Sequence, residues 1–294
     1  MSIVRKPAGS LLLVVGMLAG LASQAAGAKP VVVASTNFSE QLVLANIYAN
    51  VLEKHGVKVK KRLHLGSREV VFPALKSGEV DVLPEYSGAL LAYLADDKVK
   101  ETGKQAVLDQ LRAQLPAKLV ALKAASAQNK DALVVTAKTA EQYQLNTIAD
   151  LKPVAGQLTF GGPPEIKTRR DGMPGLKSVY GIQFKNFRSL DAGGPLTQSA
   201  LSSGAIQVAR MFTTQGVIQD KGWRVLKDTK HLVPAQNLIP IIRKSVVTPK
   251  IRKLLKAVSS ALTTKQLRAM NKRVAVDKRD PAQVAQKWVA KHDL

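Results

Sequence analysis

No cysteine occurs among the 294 residues. That excludes disulfides, thiolate metal sites and a lipid-modified cysteine anchor, so the fold must rest on its apolar core. Acidic residues are also few, 21 against 44 basic ones, and the formal charge is +23. Aromatics make up only 4% of the chain. The basic residues are dispersed: the densest runs are Lys58, Lys60, Lys61 and Arg62, and the stretch 250–256, and neither is interleaved with aromatics. Nucleic-acid binders carry a clustered basic footprint, often with stacking rings. No nucleic-acid partner is therefore expected. The charge reads as a solvated basic surface, able to steer anionic or zwitterionic solutes or to approach an anionic membrane. The four histidines, His55, His64, His231 and His292, stand at no metal-ligand spacing, so neither a metal site nor a cofactor is expected. GxSxG and HExxH are absent, and Gly161-Gly162 lacks the rest of a phosphate loop. Asp81 and Glu85 straddle a strand end and a proline, a poor frame for an acid–base pair. Nothing here argues for an enzyme.

Long apolar runs are missing as well, with one exception. Arg5 and Lys6 precede an apolar stretch over 11–21, and Ala26, Gly27 and Ala28 form a small-residue cleavage site. This pattern predicts a secretory signal peptide over residues 1–28, cut after Ala28. The competing reading, an uncleaved anchor, needs a longer run than this. Cleavage would remove two basic residues and no acidic ones, leaving +21. Export without a lipid anchor suits a Gram-negative periplasm.

What is present is a repeat. Residues 74–86, ALKSGEVDVLPEY, align without gaps with 200–212, ALSSGAIQVARMF. Ala74, Leu75, Ser77, Gly78 and Val82 recur as Ala200, Leu201, Ser203, Gly204 and Val208. An aromatic closes each run, Tyr86 and Phe212. Each copy reads as the last turn of a helix, a glycine stop, a buried strand and an aromatic at the strand's end. Ligands bind at strand ends in open α/β sheets, so the repeat suggests two similar lobes facing one cleft. Chance is the competing explanation, since helix–Gly–strand units are common.

Along the rest of the chain the pattern alternates strand and helix. Strands are expected near 31–34, 57–63, 80–83, 119–125, 132–136, 158–160, 185–188, 223–226 and 238–242. Helices are expected from about 42 to Gly56, from Ser67 to Gly78, and over 102–115, 174–180, 249–262, 264–272 and 281–291. Asn37 with Glu40 three places on resembles a capping box, and Pro84 to Gly88 reads as a turn. Such an order points to an α/β fold with a mainly parallel sheet. Two crossings, near 135 and 238, would divide the chain into one lobe of 29–135 plus 238–294 and another of 136–237. Tyr86 and Phe212 offer π faces to a cation, and Arg169, in a Gly/Pro-rich loop, can grip a carboxylate. Core packing of the rings and a surface role for the arginine are the plainer alternatives.

Several long motifs in fixed order carry a resemblance: STNFSEQ at 35–41, PEYSG at 84–88, GPPE at 162–165 with Arg169 and Asp171-Gly172, LDAGGP at 190–195, and 237–244. From residue 29 on, the chain resembles the quaternary-amine (glycine betaine/choline/carnitine) substrate-binding proteins of ABC transporters. The resemblance implies a two-lobed type II periplasmic-binding-protein fold with a two-strand hinge and the ligand closed between the lobes. In betaine-binding members, aromatic side chains box the trimethylammonium and an arginine holds the carboxylate. Arg169 falls on the arginine position and Tyr86 keeps one cage tyrosine. Asp131, Phe212 and Gln236 stand where tyrosines are usual, and Thr36 where a lysine is often found. Gln41, Ala89 and Asn129 fall on other pocket positions.

The resemblance implies a periplasmic, monomeric binding component of an ABC importer, an osmoprotectant receptor serving an inner-membrane permease and its cytoplasmic ATPase. A methylated ammonium has no N–H to donate, whereas Asp131 and Gln236 favour a cation that does. The expected ligand is thus a small zwitterion or cation, held by Arg169 at its carboxylate and by Tyr86, Phe212 and Asp131 at its positive end. Glycine betaine itself is expected to bind weakly or not at all. The alternatives are a solute sensor without a transport role, a basic protein that binds anionic surfaces, and a hydrolase on the same scaffold, for which no nucleophile–base set is recognisable.

Overall fold

The computed structural model describes residues 1–3, 29–95 and 102–294. The expected signal peptide therefore lies, over 4–28, outside the described residues. Among the described residues no helix is long and apolar enough to cross a membrane.

The first half runs β1 (Val31–Ala34), α1 (Ser39–Lys54), β2 (Val59–Arg62), α2 (Arg68–Ser77), β3 (Val82–Tyr86), α3 (Ser87–Leu94), α4 (Lys104–Gln114) and β4 (Leu119–Ala121). The middle runs β5 (Asp131–Val135), α5 (Ala137–Gln142), β6 (Thr159–Gly162), α6 (Met173–Tyr180), β7 (Asn186–Ser189), α7 (Pro195–Ser202), β8 (Val208–Phe212), α8 (Val217–Asp220) and β9 (Arg224–Val225). The chain closes with β10 (Leu238–Arg243), α9 (Pro249–Ala261), α10 (Thr264–Ala275) and α11 (Pro281–Lys291).

Two five-stranded sheets result, in the orders β2-β1-β3-β10-β4 and β7-β6-β8-β5-β9. The orders match position for position. In each, three parallel strands are followed by an antiparallel strand that has just crossed from the other lobe. The two copies of the repeat occupy the same place in this scheme, α2 into β3 and α7 into β8. The backbone N–H of Val80 bonds to Ala74 O at 3.1 Å, and that of Ile206 to Ala200 O at 3.2 Å. Gly78 (φ +95°) and Gly204 (φ +77°) supply the left-handed turn at the same point of each copy.

Helices cover both faces of each sheet. On one face of the first sheet α1 is buried nearly all round, against α9, α10 and α11. α2, α3 and α4 close the other face. The second sheet has α5 and α6 on one side and α7 and α8 on the other. A mixed sheet covered on both faces is the two-lobed periplasmic-binding-protein architecture that the sequence led us to expect.

Four local expectations change. β5 pairs with β8 and β9, so 131–135 belongs to the second sheet and the first crossing lies at 126–130, not near 135. A strand's pattern reports burial but not which sheet buries it. The crossings lie side by side: Leu238 N–H bonds to Ala127 O at 3.0 Å and Asn129 N–H to Gln236 O at 3.1 Å. Second, Pro84 to Tyr86 is strand rather than turn. Pro84 and Pro240 stand opposite each other, and the outer ladders stop short of both, so neither missing N–H breaks a ladder. Third, α3 follows without a loop; its sequence, SGALLAYL, is apolar nearly throughout and carries no helical period to read. Finally, the cap position of α1 falls on Phe38, which has no side-chain acceptor, rather than on Asn37, and Glu40 is engaged elsewhere.

Gly204→Ala is expected to cost about 1 kcal/mol through the left-handed backbone alone, since its Cβ would meet nothing within 4 Å. Gly78→Ala is expected to cost more, because its Cβ would overlap Arg243 Nη1 and push away a guanidinium paired with Asp81 at 3.2 Å. Urea unfolding midpoints of the two variants check that order.

Candidate functional site

A cleft of about 640 Å³, open mouth included, lies between the sheets. The first lobe lines it from the β1–α1 turn (Thr36, Asn37, Phe38), the start of α2 (Ser67, Arg68), the end of β3 (Tyr86) and Ala89. The second contributes Asp131, Glu165, Ile166, Arg169, Arg210 and Phe212, and the crossings contribute Asn129 and Gln236. Eight of the nine expected ligand-site positions thus meet at one wall: Thr36, Tyr86, Ala89, Asn129, Asp131, Arg169, Phe212 and Gln236. Gln41 does not line it. That side chain is buried behind the wall and faces the Tyr86 hydroxyl.

The aromatic component has three rings. Phe38, which sequence reasoning passed over, stacks on Phe212 of the other lobe at 4.8 Å and 21°, and lies 6.3 Å and 26° from Tyr86. Tyr86 ends β3 opposite Leu238, and Phe212 ends β8 opposite Asp131. Pairing across each sheet therefore fixes both ring positions. The Tyr86 hydroxyl donates to Glu40. Burial, and then the Glu40 charge, push that hydroxyl well above its ordinary pKa, which keeps it a donor.

Glu40 is the residue behind this geometry. Its buried carboxylate accepts from Tyr86, from Asn129 Nδ2 at 2.9 Å, from Thr214 Oγ1 at 2.6 Å and from Asn271 Nδ2. Read from sequence as half of a capping box, it instead joins the first helix to a sheet strand, a crossing, the second lobe and α10.

Three arginines stand on the wall, and each is held by carboxylates. Arg68 grips Glu85 of β3 with two bonds of 2.8 and 2.9 Å. Arg210 of β8 reaches Asp131 at 3.1 Å and Asp171 at 2.7 Å, and its Nη1 donates to Asp171 O at 2.6 Å. Arg169 crosses the cleft to Glu69 of α2, with Nε to Oε1 and Nη2 to Oε2 both at 2.9 Å; Glu165 lies 3.7 Å away. The Nε/Nη2 face of the Arg169 guanidinium is therefore occupied by one of the protein's own carboxylates. Burial pushes the Glu69 carboxyl up, but the bond and charge of Arg169 outweigh it and hold the group at about 2. Asp131, expected to face the ligand's positive end, is on the wall with its charge answered by Arg210. Burial raises the Asp131 pKa despite that arginine. It also opposes ionisation of Asp171, where the Arg210 charge prevails and lowers the pKa. Arg210 had a visible signal, a lone charge inside the apolar strand VARMF. The partners of Arg68 and Arg169 had none, since Glu85 and Glu69 are 17 and 100 residues away.

Among the described residues, three buried polar atoms on the wall have no partner: Thr36 Oγ1, Asn129 Oδ1 and Gln236 Nε2. Two of them are oriented by bonds at the other end of the amide. Gln236 Oε1 accepts from Ala89 N–H at 2.8 Å, which leaves its NH₂ as the open end of the amide. Asn129 gives its NH₂ to Glu40, which leaves its carbonyl oxygen free. The wall thus offers one donor, one acceptor and a hydroxyl beside three aromatic rings. Buried polar groups are nearly always satisfied, and a small polar molecule in the cleft is one partner that could satisfy these three. Among the described residues no group of three or more His, Cys, Asp or Glu could hold a metal ion.

The glycine betaine-binding protein YehZ of Escherichia coli (strain K12) is 30% identical, over 97% of this chain and 96% of its own. A glycine-betaine-binding protein of Pseudomonas aeruginosa is 31% identical, over 94% and 92%. A solved glycine betaine/carnitine/choline ABC transporter structure shares the fold, with a TM-score of 0.70 at 22% identity, covering 90% of this chain and 98% of that one. The family model described as the substrate binding domain of ABC-type glycine betaine transport system matches residues 29–291. The chain belongs to that family of substrate-binding domains.

Proposed function

We propose that this protein captures a small cation or zwitterion of the betaine and choline class in the cleft between its lobes, and delivers it to an inner-membrane permease driven by a cytoplasmic ATPase. It works in the periplasm as a monomer. The observation that carries this reading is the wall itself: rings from both lobes beside three unpartnered polar atoms, two of them oriented by bonds behind them. Ring faces attract a cation at a contact worth ~0.5–2 kcal/mol each. Around them, three guanidiniums meet five carboxylates, Glu69, Glu85, Glu165, Asp131 and Asp171. A protein that is strongly basic overall thus carries an acid-rich cleft, which favours a positive ligand. Because wall residues come from both lobes, a ligand touching both favours the closed arrangement, the form a permease can distinguish from an empty receptor.

A thermal-shift and calorimetric series with glycine betaine, choline and carnitine tests the reading. A true ligand at ~100 times its Kd should add ~2.7 kcal/mol of stability, and Phe212→Ala should weaken it about tenfold. No stabilisation by any quaternary amine or zwitterion would overturn it. Within the wall, Arg210→Met is expected to cost about 3–5 kcal/mol, because it strips the partner from two buried carboxylates. Asp131→Asn should cost clearly less, since Asp171 still holds Arg210 through two contacts. Chemical denaturation of both variants gives the comparison.

A further inference from the structure

Arg169 and Glu69 differ from the other ion pairs of the wall in where they come from and where they lie. Arg68 with Glu85 joins two elements of the first lobe, and Arg210 with Asp131 and Asp171 joins elements of the second. Arg169 with Glu69 alone among these three spans the cleft. It is also the accessible one: the side chains are 24% and 39% exposed, against 4% for Arg210 and 2% for Glu85. The pair sits at the mouth, where it can open and re-form without unpacking the core. Glu69 is further held by Ser67 Oγ at 2.5 Å, so its carboxylate is presented to Arg169 in a set position.

The contact is a fork-to-fork pair with both bonds at 2.9 Å, the arrangement an arginine makes with any carboxylate. A ligand carboxylate that takes this same Nε/Nη2 face of Arg169 must therefore displace Glu69. It exchanges one charge-assisted pair for an equivalent one and leaves Glu69 ionised beside a second anion. A ligand that ends in a hydroxyl has no such cost. It can use the neutral atoms left open on the wall, Thr36 Oγ1, Asn129 Oδ1 and Gln236 Nε2, and leave the cross-cleft pair in place.

We propose that Glu69 is a built-in competitor for the ligand's carboxylate: by holding the Arg169 fork across the cleft, it sets the receptor's preference between zwitterionic carboxylates and hydroxylated cations of similar size. The inference rests on the quaternary-amine reading of the cleft. Glycine betaine and choline are suitable probes, since they share a trimethylammonium group and differ at the other end, carboxylate against hydroxyl.

The experiment is calorimetric titration of the full chain, wild type, Glu69→Gln and Glu69→Asp, with each probe. Glu69→Gln frees Arg169 without removing the side chain's bulk, and the betaine-to-choline affinity ratio is expected to rise ~10-fold or more. Glu69→Asp keeps a charge but shortens the reach; it should shift the ratio less and in the same direction, and carries the test if Glu69→Gln does not fold. A ratio that stays constant across the variants, or moves toward choline, overturns the proposal while leaving the receptor reading intact. Binding of neither probe to any of the three proteins also overturns the proposal, and the wider ligand series above then decides the receptor reading separately.

Discussion

A buried carboxylate is costly unless hydrogen bonds replace the water it has lost. Glu40 meets that requirement with donors from four segments: Tyr86 at the end of β3, Asn129 in the first crossing, Thr214 beyond β8 and Asn271 on α10. To satisfy one side chain the protein must bring the first helix, both lobes and the C-terminal helices to a single point. The position of Tyr86 and the free carbonyl oxygen of Asn129 both follow from that point. The cleft wall is thus built on a polar anchor inside an apolar core that α1 shares with α9, α10 and α11.

The same logic of compensated charge shapes the cleft. Each wall arginine has carboxylate partners, and the pairs are graded by exposure from core to mouth. Buried pairs contribute geometry more than net stability, because desolvation offsets much of their attraction. Arg210 aligns the strand that carries Phe212, and Arg68 aligns the strand that carries Tyr86. What remains for a ligand is chemically modest: ring faces, one amide donor, one amide acceptor and a hydroxyl. Recognition of a small cation needs little more, provided that those groups are held rigidly.

Much of this could be read from the residues. The repeat at 74–86 and 200–212 marked the equivalent strands of two sheets that prove to share one order, and it placed Tyr86 and Phe212 at strand ends facing one cleft. Those features depend on contacts close in sequence: a glycine with φ near +80° to +95°, an alternation of buried residues, an aromatic at a fixed offset. Phe38 was not legible as part of the site, because a ring in a strand–helix turn carries no period. Glu40 was misread for the converse reason. Its spacing from Asn37 imitates a local cap, while its true partners lie 46 to 231 residues away.

The amino-acid sequence by itself determined the alternating α/β pattern, the repeat that marks two lobes, and Tyr86, Phe212 and Arg169 as cleft candidates, since helix stops and strand burial are written in neighbouring residues; the family resemblance added Thr36, Ala89, Asn129, Asp131 and Gln236. Only the tertiary structure decided which charges are spent. That Arg169 pairs with Glu69, and Asp131 with Arg210, depends on side chains 79 to 100 residues apart meeting across strands and across the cleft. Electrostatic pairing acts through space rather than along the chain, and no local pattern records it.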